Sequence, residues 1–137
     1  MFHEWFEEVW NQRNADVIDR LLGDDAIVHG IVNENGTPMR GPQDFKEFHR
    51  RFLAAFSDIA VEVVETVSEG DKIAARCIVR ARHDGGGLGF AATGKTTEFT
   101  GMCIGVVRGG KIVEAWNNFD FLAMYSQLGV LDKLSQT

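Results

Sequence analysis

The stretch GGKIVEAWNNFDFLAMYSQLG, residues 109–129, decides the fold of this chain. Gly109-Gly110 supplies the positive-φ residues of a tight hairpin turn, and residues 111–119 then alternate with period two, as a strand does. On that alternation Val113, Ala115, Asn117 and Phe119 share one face, while Ile112, Glu114, Trp116 and Asn118 share the other. The first face is the more apolar and is expected to meet the core. Asn117 is then a polar side chain on the core side, where a site would sit. Asp120 precedes the helical pattern 121–128, which closes at Gly129. Its carboxylate is expected to cap that helix by accepting from backbone N–H groups of the first turn.

The period of two extends back to residue 58. Residues 59–67 read as a strand, 68–71 as a turn and 72–83 as the returning strand of an antiparallel hairpin. Ala75, Cys77, Val79, Ala81 and His83 share its apolar face, and small residues there leave room for a ligand. In the strand at 96–107, Phe99, Gly101, Cys103, Gly105 and Val107 share a face, the glycines suggesting curvature or open space. Between these strands, residues 84–95 form a glycine-rich loop without the GxxxxGK[ST] spacing of a phosphate cradle, and are read as a mobile flap. A short strand at 26–31 carries His29 and leads into a loop over 33–38.

Helices come first in the chain. Phe2, Phe6, Val9 and Trp10 recur at helical spacing over 2–12, and a second short helix spans 15–22. Gly41-Pro42 opens the longest helix, with proline in the first turn, where its missing N–H costs nothing. Phe45, Phe48, His49, Phe52 and Phe56 repeat along it at three and four residues, making a thick apolar wall with His49 as the polar intruder.

With 137 residues, 45% of them hydrophobic, the chain is expected to form one compact domain. Fourteen Lys+Arg stand against 20 Asp+Glu, a formal charge of -6, so a nucleic-acid or anionic-membrane surface is not expected. Met1 to Trp5 carries an acid and aromatics rather than a basic secretory leader, and Cys77 and Cys103 sit in apolar strands, which together suggest a reduced, cytoplasmic protein. The four histidines show no metal-ligand spacing, so no metal is expected.

Two short helices and a long one, antiparallel strands and a closing helix describe an α+β fold, helices packed on a curved antiparallel sheet around an apolar pocket. Several stretches carry a closer likeness: Phe6 to Gln12, Asp25 to Gly30, Gly41-Pro42 with Phe45, Glu69 to Arg76, His83 with Gly85, Thr93-Gly94-Lys95, Phe99-Thr100-Gly101, Gly110 to Glu114, and Trp116 to Asp120. In these the chain resembles the SnoaL-like polyketide cyclases of the NTF2-like (cystatin-like cone) superfamily. The resemblance implies a conical pocket, a homodimer formed through the sheet, and an aldol ring closure in which a pocket aspartate moves the proton without metal or cofactor. It places that acid at position 117, where this chain has Asn117.

Two readings of function follow. The first is a cyclase-type or isomerase-like enzyme acting on a hydrophobic small molecule, with His29 or His83 as base and Asn117 orienting a carbonyl or a water. The second is a non-catalytic module that holds an apolar ligand. Both would use Trp10, Phe45, Phe48, His49, Phe52, Cys77, Val79, Phe99, Cys103 and Phe119 as lining.

Overall fold

The computed structural model describes residues 1–32 and 35–134. Helix α1 (Phe2–Glu4) runs directly into a π-helical stretch (Trp5–Asn11), in which the Gln12 N–H donates to the Glu7 carbonyl five residues back. After α2 (Asp16–Leu21) come β1 (Leu22–Val32), β2 (Pro38–Arg40), α3 (Gly41–Ala55), β3 (Ala60–Glu69) and β4 (Lys72–Arg82). The chain continues through β5 (Thr96–Arg108), β6 (Lys111–Phe119), α4 (Phe121–Leu128) and α5 (Leu131–Leu134).

The sheet order is β2-β1-β6-β5-β4-β3, with β1 parallel to β6 and the other neighbours antiparallel. The π-helical stretch and α3 lie against the sheet's inner face. Their aromatic stripes meet there: the Trp10 ring stands edge-on to Phe45, Phe48, His49 and Phe52, with centroids 4.8–6.1 Å away. Trp5 reaches the same wall, 5.0 Å from Phe45. Trp5 falls on the same face, three residues after Phe2 and four before Val9, and so joins Trp10 there.

The strand carrying the decisive stretch differs from its expected parity at one point. Val106 pairs with Glu114 but Val107 pairs with Ile112, so Val113 is an extra residue in β6. This bulge turns Ile112 inward, where it is buried, while Ala115, Asn117 and Phe119 keep the inward face expected of them. The glycines of β5 are seats rather than open space. A Cβ at Gly101 would lie 2.0 Å from the Phe119 ring, and one at Gly105 would lie 2.7 Å from the Phe2 ring.

The glycine-rich loop is also docked at its start. Backbone N–H groups of Asp84 and Gly85 donate to the Ala55 carbonyl at the end of α3, and the Asp84 carboxylate accepts from Ser57. A Cβ at Gly85 would lie 1.8 Å from the Ala54 carbonyl oxygen, so glycine permits the close approach. Across the same helix end, Arg13 donates to the carbonyls of Leu53, Phe56 and Ser57. At α4 the expected cap is present: Asp120 Oδ1 accepts from the Ala123 N–H at 3.0 Å, and Gly129 closes the helix at φ 73°.

Candidate functional site

Between the helices and the sheet lies a cavity whose wall is built from both. Phe2, Trp5, Phe6 and Trp10 come from the N-terminal helix, Phe45, Phe48 and Phe52 from α3, and Val28 and Ile31 from β1. The sheet adds Val79, Phe99, Cys103, Ala115, Asn117 and Phe119, and Phe121 closes it from α4. Ile31, Phe48, Asn117, Phe119 and Phe121 are the partly exposed members, so the mouth opens between the ends of β1 and β6, the flank of α3 and the start of α4. The free volume inside is ≈ 70 Å³. That is room for about five waters at ~10–15 Å³ each, and less than a multi-ring ligand fills, so such a ligand enters only as the rings at the mouth swing aside.

The wall's polar groups are few: the indoles of Trp5 and Trp10, the Cys103 thiol and the Asn117 amide. Asn117 and Cys103 are direct partners in the β5–β6 register. Hydrogen bonding to Cys77, together with burial, holds the Cys103 thiol far above the ordinary thiol range, so it stays neutral. No carboxylate, ammonium, guanidinium or imidazole lines the cavity among the described residues.

Of the residues expected to line it, Trp10, Phe45, Phe48, Phe52, Val79, Phe99, Cys103, Asn117 and Phe119 do. His49 and Cys77 are buried just behind that wall. His49 Nε2 donates to the Val9 carbonyl at 2.7 Å, which ties α3 to the N-terminal helix. Burial lowers its pKa below the ordinary value of 6.5, with the Val9 bond opposing and the Arg13 charge assisting.

The two histidines expected as bases lie elsewhere. On β1, Val28 faces inward and His29 outward, where its Nε2 is 2.7 Å from Glu114 and its ring stacks on Trp116 at 5.3 Å. His83 is buried beneath the glycine-rich loop, its Nδ1 accepting from the Thr93 N–H at 3.1 Å, between the rings of Phe56 and Phe90. Neither imidazole forms part of the cavity wall. Among the described residues no three His, Cys, Asp or Glu side chains converge as metal ligands would.

The arrangement of helices on a curved sheet is one that known proteins share. The family model for SnoaL-like polyketide cyclases matches residues 1–128. The chain belongs to the SnoaL-like polyketide cyclase family. One relative is the aklanonic acid methyl ester cyclase DnrD of Streptomyces peucetius, 30% identical over 125 residues that span 89% of this chain and 84% of DnrD. Among solved structures, IdmH of Streptomyces antibioticus, a proposed polyketide cyclase, superposes with a TM-score of 0.78 at 30% identity, covering 91% of this chain and 94% of IdmH. TsrD of Streptomyces laurentii superposes with a TM-score of 0.81 at 26% identity, over 94% of this chain and 92% of TsrD. The α+β, NTF2-like architecture is therefore that of the family, as the order of elements in the sequence suggests.

Several lining residues escape a reading of the sequence as a site. Trp5 lies three residues after Phe2 and four before Val9, a spacing that is the signal able to find it, whereas Ile112 depends on the bulge at Val113. Val28 and Ile31 depend on β1 lying beside β6, which no local pattern specifies. Phe121 was legible only as the first residue of a helix, yet its ring lies 6.0 Å from Phe52 and 5.9 Å from Phe99.

Proposed function

We propose that this chain is a polyketide-cyclase-type enzyme that takes a hydrophobic small molecule into the aromatic cavity and closes a ring within it, by aldol condensation or a related isomerisation. The observation carrying this reading is the cavity wall, continuous aromatic and aliphatic surface with a single amide, Asn117, set into it. Such a wall folds a flexible chain and holds its reacting ends together, a contribution that needs no charged group. Asn117 stands where the family resemblance puts the acid. An amide does not exchange protons near neutral pH, so its part is to orient a hydroxyl or water. The activity named for DnrD supports an ester-bearing polyketide as the first substrate class to try.

The test is native mass spectrometry of the purified protein, followed by incubation with polyketide methyl esters of the kind DnrD's name describes. Conversion to a cyclised isomer, slowed about tenfold or more by Asn117→Ala, is expected for an oriented hydrogen bond used in the reaction. Binding with no conversion of any bound ester overturns the enzyme reading. It would leave the second reading, a non-catalytic binding module, which is favoured by the absence of an ionisable acid or base from the described cavity wall.

We infer, too, that two copies pair through the outer face of the sheet. The register lines up Val67, Ala74, Ile104, Trp116 and His29 in one row across β3, β4, β5, β6 and β1. Val67, Ile104, Trp116 and the neighbouring Met102 are exposed large apolar side chains there. Ion pairs Arg76–Glu65 and Arg80–Glu98 lie beside them on the same strands. An apolar strip with polar flanks is what an isologous interface presents.

A further inference from the structure

Asn117 is the group in the cavity wall whose orientation can be settled by chemistry. Its Nδ2 lies 3.1 Å from the backbone carbonyl oxygen of His29. A carbonyl only accepts, so the amide nitrogen must face it and the amide oxygen must point elsewhere. The two strands hold this arrangement closely. Gly30, at φ +86°, follows that carbonyl, and a Cβ there would lie 1.9 Å from the Asn117 main-chain oxygen. The amide is thereby fixed by its nitrogen to β1, and Oδ1 accepts no hydrogen bond from any described residue.

Asn117 lines the apolar cavity, and with its nitrogen bonded to β1 the group it has left to offer a ligand as acceptor is Oδ1. Beside it stands Cys103, a neutral thiol held far from ionisation. An acceptor left unpaired when a ligand displaces water loses a hydrogen bond without replacement, whereas a hydroxyl restores it. A ketone or ether oxygen against Oδ1 sets two acceptors face to face.

We propose that the cavity selects ligands presenting a hydroxyl, such as that of a phenol or an enol, to Asn117 Oδ1. This rests on the reading of the cavity as the ligand site and adds which functional group it recognises. For a substrate with two carbonyls flanking one carbon, the form bound at Asn117 is the enol, which such compounds reach in water unaided. Its O–H donates to Oδ1, and its carbon is already nucleophilic. In the ring closure that carbon forms a bond to the distant carbonyl carbon, the carbonyl becomes a hydroxyl, and the enol proton is the one it gains. Product and substrate are isomers, and Asn117 neither gains nor loses a proton.

The test uses 2-naphthol, 2-methoxynaphthalene and the full chain, with affinity read by calorimetry. Wild type is expected to bind the naphthol about tenfold more tightly than the methyl ether, the worth of one hydrogen bond in an apolar site. In Asn117→Leu, of similar size, that ratio is expected to fall to about one, with the ether bound as well as before. Equal binding of both compounds to wild type overturns hydroxyl selection while leaving the cavity as the ligand site. A preference that survives in Asn117→Leu likewise overturns the role of Oδ1. Failure of both compounds to bind overturns the cavity reading and the selection with it. The wild-type comparison needs no variant, so it stands even where Asn117→Leu folds poorly.

Discussion

The two faces of the central sheet are made from alternate residues of the same strands, yet they are opposite surfaces chemically. On β6, Ala115, Asn117 and Phe119 face an uncharged aromatic cavity, while Glu114, Trp116 and Asn118 belong to the other face. There Glu114 pairs with His29, and Arg76 and Arg80 hold glutamates of neighbouring strands. The difference teaches that charge was available to these strands and is confined to one side. Inside, volume and shape carry the site, and outside, ion pairs and an apolar row do.

Removing an inner-face aromatic tests this most severely. Trp10→Ala is expected to cost about 3–5 kcal/mol, since it strips four ring contacts and leaves a hole. Urea denaturation would report it, and a loss below 1 kcal/mol, on the order of a surface change, would mean that the wall collapses freely. Next comes the joint between β1 and β6. Gly30→Ala asks for an L-residue at φ +86° and a Cβ overlapping the Asn117 carbonyl, so a loss of about 2–3 kcal/mol is expected, with weakened ligand binding.

The outer face should answer differently. Trp116→Glu is expected to change the stability of one protomer by under about 1 kcal/mol, yet to weaken self-association by about 2 kcal/mol, or roughly 30-fold. Sedimentation equilibrium separates the two, and an unchanged association constant would remove Trp116 from the interface. At the junction of sheet and α4, Asp120→Ala should cost about 1 kcal/mol by leaving the Ala123 N–H without its acceptor, read as a lowered melting temperature.

The smallest effect is a pH dependence. Burial depresses the folded pKa of His49 below 6.5, so the unfolded chain takes up a proton that the folded chain resists. The stability involved is fully present above 6.5 and is lost as pH falls below that value toward the folded pKa. His49→Gln, which keeps a donor for the Val9 carbonyl, should flatten that part of the stability–pH curve. Parallel curves for the two proteins would show that His49 does not contribute.

Much of this was legible in the sequence where a signal is local. Phe45, Phe48 and Phe52 at helical spacing marked the α3 wall, although Phe56, expected to continue it, lies past the helix end in an extended conformation; alternation put Asn117 inward, and Asp120 before an apolar helix marked a cap. What escaped depends on geometry that composition does not encode. One extra residue, Val113, reverses the parity of Ile112. His29 shows the limit most clearly: an isolated strand reveals that its faces differ, but only the pairing of β1 with β6 decides which way its imidazole points. The docked glycine loop belongs to the same class, because its glycines answer to the end of α3, distant in sequence. No helix among the described residues is long and apolar enough to cross a membrane, a point that hydropathy conveys directly.

The absence of ionisable groups from the described cavity wall has a consequence for how ligands are ranked. Charge neither draws a ligand to such a cavity nor holds it there, so added salt should leave affinity nearly unchanged. What remains is transfer from water to a fixed hydrocarbon environment, in proportion to the apolar area removed from water. Across a homologous series, affinity should follow the oil–water partition coefficient until the ligand outgrows the space the mouth can release. The cavity then behaves as a small volume of organic solvent with one oriented oxygen in it.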